Sequence, residues 1–382
     1  MISYGESARA LLTSGMLAFL SVLLMRVCIW YDVCVQRTAA PTMSIDPVQA
    51  STFIFDIARG FMRSQVLRTA CDLRLFDHLD ESAKSANAIA EEIGVPESPC
   101  VALLRAVAHL GLCEMRDDRF AANTISQYLR STHPMHLQAL ANSDFYRPLW
   151  NCLTNAVREG SPRWLEAYGS PAELVFTTAY ADPARAKSIA EFFSAVSVPQ
   201  GIAVARSWDF SLCSKLLDVG GGGGSITIEI LKANPHLHGT VVDLPPMVAA
   251  AQQNIAANGV SDRCEAVVGD MFGELPPGHD AILLAWVLHD WSDTKCDVIL
   301  RRCHNALVAG GRLLICEAVL NDDGTGTDDA VLGSLNMLVN AEPGAKERTL
   351  SEFAQLLKRT GFRIEQLIRT GGARDMIIAS KL

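Results

Sequence analysis

The stretch Leu216-Leu217-Asp218-Val219-Gly220-Gly221-Gly222-Gly223-Gly224-Ser225 decides the fold. An aliphatic run ends in an acidic residue, turns through five glycines, and gives way to ITIEILKANP, which reads as a helix. Glycine lets the chain turn sharply and lets a ligand approach the backbone closely. The dinucleotide pattern G-x-G-x-x-G fits poorly. Counted from Gly220 its third glycine falls on Ser225, and counted from Gly221 on Ile226. That spacing disfavours a nicotinamide-dependent dehydrogenase. Asp218-x-Gly220-x-Gly222-x-Gly224 does fit, and an acidic strand end with close backbone approach suits a ligand carrying an amino group and a carboxylate, such as S-adenosylmethionine.

Four further runs rich in Val, Ile and Leu follow: GTVVDL (239–244), CEAVVGD (264–270), AILLAWVL (281–288) and GRLLICEAVL (311–320). Amphipathic stretches separate them, which predicts a parallel sheet covered by helices on both faces. The last stretch, RIEQLIRTGGARDMIIASKL, reads as two strands joined by a tight Gly371-Gly372 turn that adds an antiparallel strand.

Several strand ends carry chemistry. Asp243 ends the second strand, where a carboxylate accepts hydrogen bonds from ribose hydroxyls, a role shared by dinucleotide and methionine-adenosine sites. Asp270, Met271 and Phe272 end the third, where a carboxylate could hold an adenine edge and the apolar side chains its face; taken alone, the motif reads better as an ordinary strand-end turn. The fourth strand ends in AWVLHDWSD. A histidine there faces the crevice in which open α/β sheets bind ligands, and an ordinary imidazole pKa near 6.5 suits a general base. Glu317 after the fifth strand and Glu347 in AKERTLSEF are carboxylates that could hold that imidazole in one tautomer. Read alone, Glu347 also suits the first turn of a helix.

Upstream, residues 50–130 read as helices. Ser85 opens a short one that Gly94 ends, and Ser98 is the expected N-cap of the next. With the stretch Cys113–Phe120 this outlines a winged helix-turn-helix. PCVALLRAVAHLGL offers only Arg105 and His109 as polar contacts, too few for a recognition helix, so a scaffold or dimerisation module is favoured over a DNA reader or ligand-sensing regulator. Residues 143–207 read as helical and carry many aromatics, whose spacing suits core packing or the lining of a pocket for a flat substrate.

The 382 residues carry 42 acidic and 33 basic groups, a net charge of −9, which gives no general electrostatic footprint for nucleic acid. Eleven cysteines without a Cys-x-x-Cys pair argue against a zinc site and for a reduced intracellular, cytoplasmic enzyme. Ala10 to Met25 are sixteen residues without a charge. Two readings stand for the leader 1–42: translation from Met43, or an apolar segment that contacts a membrane across residues 10–35. It stays outside the fold argument.

LDVGGGGG, VVDLPP, GDMF, WVLHDWSD, CEAVL and PGAKERTLSEF, in that order, are similar to the motifs of one family. Over residues 50–382 the chain resembles the small-molecule O-methyltransferases of the caffeate, flavonoid and hydroxyindole type. The resemblance implies a helical, winged-helix-like dimerisation domain over 43–185. Over 186–382 it implies a Rossmann-like class I methyltransferase domain, with a parallel sheet and an antiparallel C-terminal strand. It implies S-adenosylmethionine as methyl donor, no metal, a small aromatic substrate, a homodimer, and no nucleic acid. By resemblance Gly220 and Gly222 lie against the methionine part of the cofactor, Asp243 holds the ribose, Asp270 and Met271 flank the adenine with Trp291 near it, and Asp218, Leu244, Phe272 and Asp290 border the cofactor. His289 is the general base beside Glu317 and Glu347, and Asn336 and Met337 lie near the substrate. The family often has Lys or Arg where this chain has Ala285, so one cofactor contact differs. Relatives of this fold also methylate nitrogen or carbon, or no longer transfer methyl groups.

Overall fold

The computed structural model describes residues 46–135, 137–141, 146–169 and 183–382, the side chains of 183–190 excepted. The leader 1–42 and the stretch AELVFTTAYA (172–181) lie outside the described residues.

The chain divides into two units at Gly60/Phe61. In the first, Asp46 caps helix α1 (Pro47–Ala58) by accepting the Val48 and Gln49 N–H groups, with Pro47 pre-set at its first turn. Val48, Phe53, Ile54, Phe55 and Ile57 are all exposed on it.

The second unit begins within α2 (Gly60–Asp72) and continues as a module of helices and three short strands: β1 (Lys84–Ser85), α3 (Ala86–Ile93), α4 (Glu97–His109), β2 (Glu114–Arg116) and β3 (Arg119–Ala121). Ser85 caps α3 through the Ala88 N–H, and Gly94 ends it in the left-handed region at φ 71°. Ser98 is not the next cap. Helix α4 starts at Glu97 with Pro96 as N-cap, because Pro99 falls in the first turn, where a missing N–H costs nothing. Asp117 and Asp118, both at positive φ, turn β2 into β3, and the three strands pair in the order β1-β3-β2 as a wing. Leu75, Phe76, Ile89, Leu104, Val107 and Phe120 form the core of this module. Arg105, one of the two polar groups weighed above for DNA, pairs with Asp118 at 3.1 Å.

Short helices α5 (Arg147–Asn151), α6 (Leu153–Glu159) and α7 (Trp164–Tyr168) follow. Their aromatics serve packing in part: Trp164 is buried in a cluster with Leu149, Ala156 and Val339. Helix α8 (Pro183–Ser207) then leads into the sheet domain.

That domain comprises β4 (Lys215–Val219), α9 (Ser225–Ala233), β5 (His238–Asp243), α10 (Pro245–Ala257), β6 (Cys264–Val268), β7 (His279–Ala285), α11 (Asp293–Ala306) and β8 (Leu307–Glu317). It continues through β9 (Val319–Leu320), α12 (Asp328–Asn340), β10 (Arg348–Thr349), α13 (Leu350–Arg359), β11 (Phe362–Ile368) and β12 (Asp375–Lys381). The seven-stranded order is β11-β12-β8-β7-β4-β5-β6. Strands β4 to β8 run parallel, and β12 is antiparallel to both β8 and β11. Separate apolar clusters cover the two faces, which is why the strands read as continuous aliphatic runs. The order reverses between β4 and β7, so their carboxyl ends flank the crevice where such sheets bind ligands.

The terminal hairpin departs from expectation in its turn. Residues 369–374 form a six-residue loop, not a two-residue turn. Gln200 on α8 holds it, donating to the Arg374 carbonyl and accepting the Arg374 N–H, each at 3.0 Å. Gly372 is needed there: a Cβ would fall 2.5 Å from the Gln200 Oε1.

No helix among the described residues is long and apolar enough to cross a membrane. The nine described cysteines are free thiols, and burial pushes the pKa of Cys303 up to about 12.

Candidate active site

The glycine turn is built from below. Asp218 is 2% exposed at the end of β4, and its Oδ2 accepts the Thr227 hydroxyl at 2.7 Å. The carboxylate lies directly under the turn, where a Cβ at Gly221 would sit 2.5 Å from Oδ2. Burial pushes the Asp218 carboxyl up to about 7, against the pull of the Thr227 bond. Gly220 and Gly222 adopt φ of 72° and 55°, open to glycine at no steric cost. A Cβ on Gly220 would meet Val287 and Met271 at 3.1 and 3.2 Å, whereas the space beside Gly222 is open.

Asp243, half-buried at the end of β5, accepts the Gly222 N–H at 2.8 Å on one oxygen and the Leu244 N–H at 2.6 Å on the other. Each oxygen keeps a further lone pair for a ligand hydroxyl. Burial raises its pKa, and the two backbone bonds oppose that. Leu244 is exposed. Exposed Asp270 accepts the Phe272 N–H at 2.9 Å. The Phe272 ring meets Trp291 edge-on at 4.9 Å, and the Lys295 ammonium lies 4.7 Å from the Trp291 ring.

At the end of β7 the chain makes a strained turn. Trp286 sits at φ 54°, unusual for a bulky residue. Glu317 Oε1 accepts the Val287 and Leu288 N–H groups at 3.1 and 2.8 Å, fixing the turn that presents His289. His289 is 5% exposed. Its Nδ1 lies 3.1 Å from Glu347 Oε1 and 3.1 Å from Glu317 Oε2, both carboxylates being buried. Nε2 lies 3.6 Å from the half-buried Asp290 Oδ1. Burial alone would lower the imidazole pKa. Glu317, Asp290 and Glu347 outweigh it and push His289 up to about 9. Burial raises Glu317 and Asp290 in turn.

His289, Glu317 and Glu347 each bring one ligand atom within 4.8 Å of the others, a spacing a metal ion could use. The positive charge such an ion would bring is already supplied by the imidazolium. Helix α12 closes on this cluster at Gly333, where a Cβ would fall 2.9 Å from Glu347 Oε1. Asn336 and Met337, three and four residues on, share that face of the helix. The Asn336 Oδ1 accepts the Trp150 indole N–H at 2.9 Å, and Met337 is buried.

Sequence reasoning missed the residues that hold this site. Arg348 is fully buried, and its guanidinium donates to the Leu288 and Trp291 carbonyls on either side of His289, and to Asp293. Its place beside Glu347 was the available signal. Thr227, nine residues after Asp218, carried no signal of its own, and Trp286 and Arg374 carried none because they meet only across the fold.

A family model of an O-methyltransferase domain matches residues 150–363, and one of an O-methyltransferase dimerisation domain matches residues 55–132. The chain belongs to the O-methyltransferase family. It is 33% identical to the 3-hydroxy-5-methyl-1-naphthoate 3-O-methyltransferase of Streptomyces sahachiroi over 86% of this chain and 95% of that protein. It is also 33% identical to human acetylserotonin O-methyltransferase over 87% and 98%. The crystal structure of human N-acetylserotonin methyltransferase in complex with SAM superimposes with a TM-score of 0.79 at 32% identity, covering 90% of this chain and 99% of that one. The enzyme is an S-adenosylmethionine-dependent methyltransferase. Its residues fit that donor: open space beside Gly222, spare lone pairs on Asp243, and apolar side chains at Met271, Phe272 and Trp291.

Proposed function

We propose that the enzyme methylates a hydroxyl of a small aromatic metabolite, with His289 as general base. The observation that carries this reading is the His289 Nδ1 held 3.1 Å from two buried carboxylates. The three carboxylates hold His289 largely as the imidazolium at neutral pH, so the base is its neutral fraction, in which the Nδ1 proton is directed at Glu347 and the lone pair on Nε2 takes the substrate proton. A phenol with pKa near 10 is a poor nucleophile at neutral pH, and removing that proton makes it a good one. The bound donor supplies a methyl group on a positively charged sulfur, an activated leaving group. Glu317 and Glu347 hold the imidazole and stabilise the imidazolium.

Gly220 and Gly222 border the methionine part of the donor, above the supporting Asp218. Asp243 takes the ribose, Asp270 and Met271 flank the adenine with Trp291 near it, and Leu244, Phe272 and Asp290 border the donor. Asn336 and Met337 face the acceptor. The helical module pairs two copies into a homodimer, a reading supported by the dimerisation-domain match and by the exposed apolar side chains of α1.

Incubation with methyl-labelled S-adenosylmethionine and a panel of phenols, hydroxyindoles and hydroxynaphthoates tests the reading. A labelled methyl ether that is lost with His289→Ala supports it. A product labelled on nitrogen or carbon overturns it.

A further inference from the structure

The loop between β11 and β12 delivers a cation to the acidic cluster. Arg374 is largely buried, with Nη2 3.6 Å from Glu347 Oε1 and its guanidinium 5.4 Å from the Trp286 ring centre. Its Nε is buried without a hydrogen-bond partner, as are Glu347 Oε2 and Glu317 Oε2. The side chain is therefore not fixed by a full set of hydrogen bonds to the cluster. Its backbone is: Gln200, fully buried, grips both the N–H and the carbonyl of Arg374. Such a clamp on a six-residue loop places one guanidinium reproducibly beside a glutamate that touches the histidine.

The charges around His289 come from every neighbouring element. Glu317 lies at the end of β8, Asp290 on the same turn, Glu347 just before β10, and Arg374 on the β11–β12 loop. Arg348 faces the Leu288 and Trp291 carbonyls and is paired with Asp293. Glu342 is paired with Lys295, and Asp375 with Arg369. Without Arg374, three carboxylates would face one imidazolium with no cation directly beside them. They would then hold the proton on His289 too firmly for it to act as a base.

We propose that Arg374 is a positioning residue for the proton step: its charge, 3.6 Å from Glu347, limits the hold of the carboxylates on the His289 imidazolium so that the imidazole can be emptied of its proton. This rests on the reading of His289 as the base.

The test compares Arg374→Met, which keeps an aliphatic stem over Trp286, and Arg374→Gln with Arg374→Lys, which keeps the charge. Circular dichroism checks folding. Histidine-selective 13C labelling, with His289→Gln to assign the resonance, gives the titration midpoint of His289 without any substrate. The acid limb of the methyl-transfer rate against pH is measured in parallel. Loss of the charge should move the His289 midpoint up by about one pH unit, in line with the effect of one nearby charge. Activity at pH 7 should fall about tenfold and recover at higher pH, and Arg374→Lys should behave as wild type. An unmoved midpoint in the neutral variants, or an equal shift in Arg374→Lys, overturns the proposal. A midpoint that moves while the rate profile stays in place shows the charge effect of Arg374 on His289 but overturns the assignment of His289 as base and with it the role of Arg374 in the proton step.

Discussion

Asp218 makes stability depend on pH in a way that needs no knowledge of the substrate. The carboxyl is 2% exposed beneath the glycine turn, with the Thr227 hydroxyl 2.7 Å from Oδ2. Burial holds its pKa at about 7, against 3.8 for an ordinary aspartate. A folded-state pKa above the unfolded value means that folding takes up a proton between those two values. Its stabilising contribution is complete below the unfolded pKa and is lost as pH rises through the folded one. Each unit is worth about 1.4 kcal/mol, so from pH 5 to pH 8 wild type should lose about 3 kcal/mol from this one group. Asp218→Asn is nearly isosteric, keeps an acceptor for Thr227 and cannot titrate. Urea denaturation of both proteins at pH 5, 6, 7 and 8, at one protein concentration, gives the difference in stability at each pH. That difference should move toward the variant by about 3 kcal/mol across the range, with the other titrating groups cancelling. A difference constant within about 1 kcal/mol would show that the Asp218 carboxylate stays ionised throughout, and the reasoning from burial would fail.

Other outcomes follow from the same geometry. His289→Ala should reduce turnover about 10²–10⁴-fold with donor binding nearly intact, and high pH should partly rescue it on phenols; wild-type turnover at neutral pH would refute the base assignment. Asp243→Ala should weaken binding of the demethylated donor by about 1.5–3 kcal/mol in calorimetry, the range for a hydrogen bond to a charged group. Arg348→Met leaves the Leu288 and Trp291 carbonyls without their donor and should cost about 3 kcal/mol in a denaturant titration, and an unchanged midpoint would count against that clamp. Phe53→Ser with Ile57→Ser should dissociate the proposed homodimer in light scattering, and a dimer that persists would place the interface elsewhere.

The parallel sheet is legible in the residues alone, because strands buried on both faces must be continuous aliphatic runs, as in AILLA before His289. So is the glycine turn, since Gly220, Gly222 and Gly224 all take positive φ. His289, Glu317 and Asp243 were legible as strand ends, and a strand end in such a sheet has one place to be. What the tertiary structure decided is everything that depends on contacts between distant segments. Glu347 could have been a helix-start carboxylate until α12 closed on it at Gly333 and brought it to His289. The Gly371-Gly372 pair looked like a two-residue turn, yet Gln200, far upstream on α8, holds the loop open around Arg374. Asp218 read as a ligand-facing acid, while its side chain lies under the glycines against Thr227. Local patterns record which face a residue shows and which turns the backbone permits. Pairing energies between charges and close approaches of helices arise only when packing sets the distance.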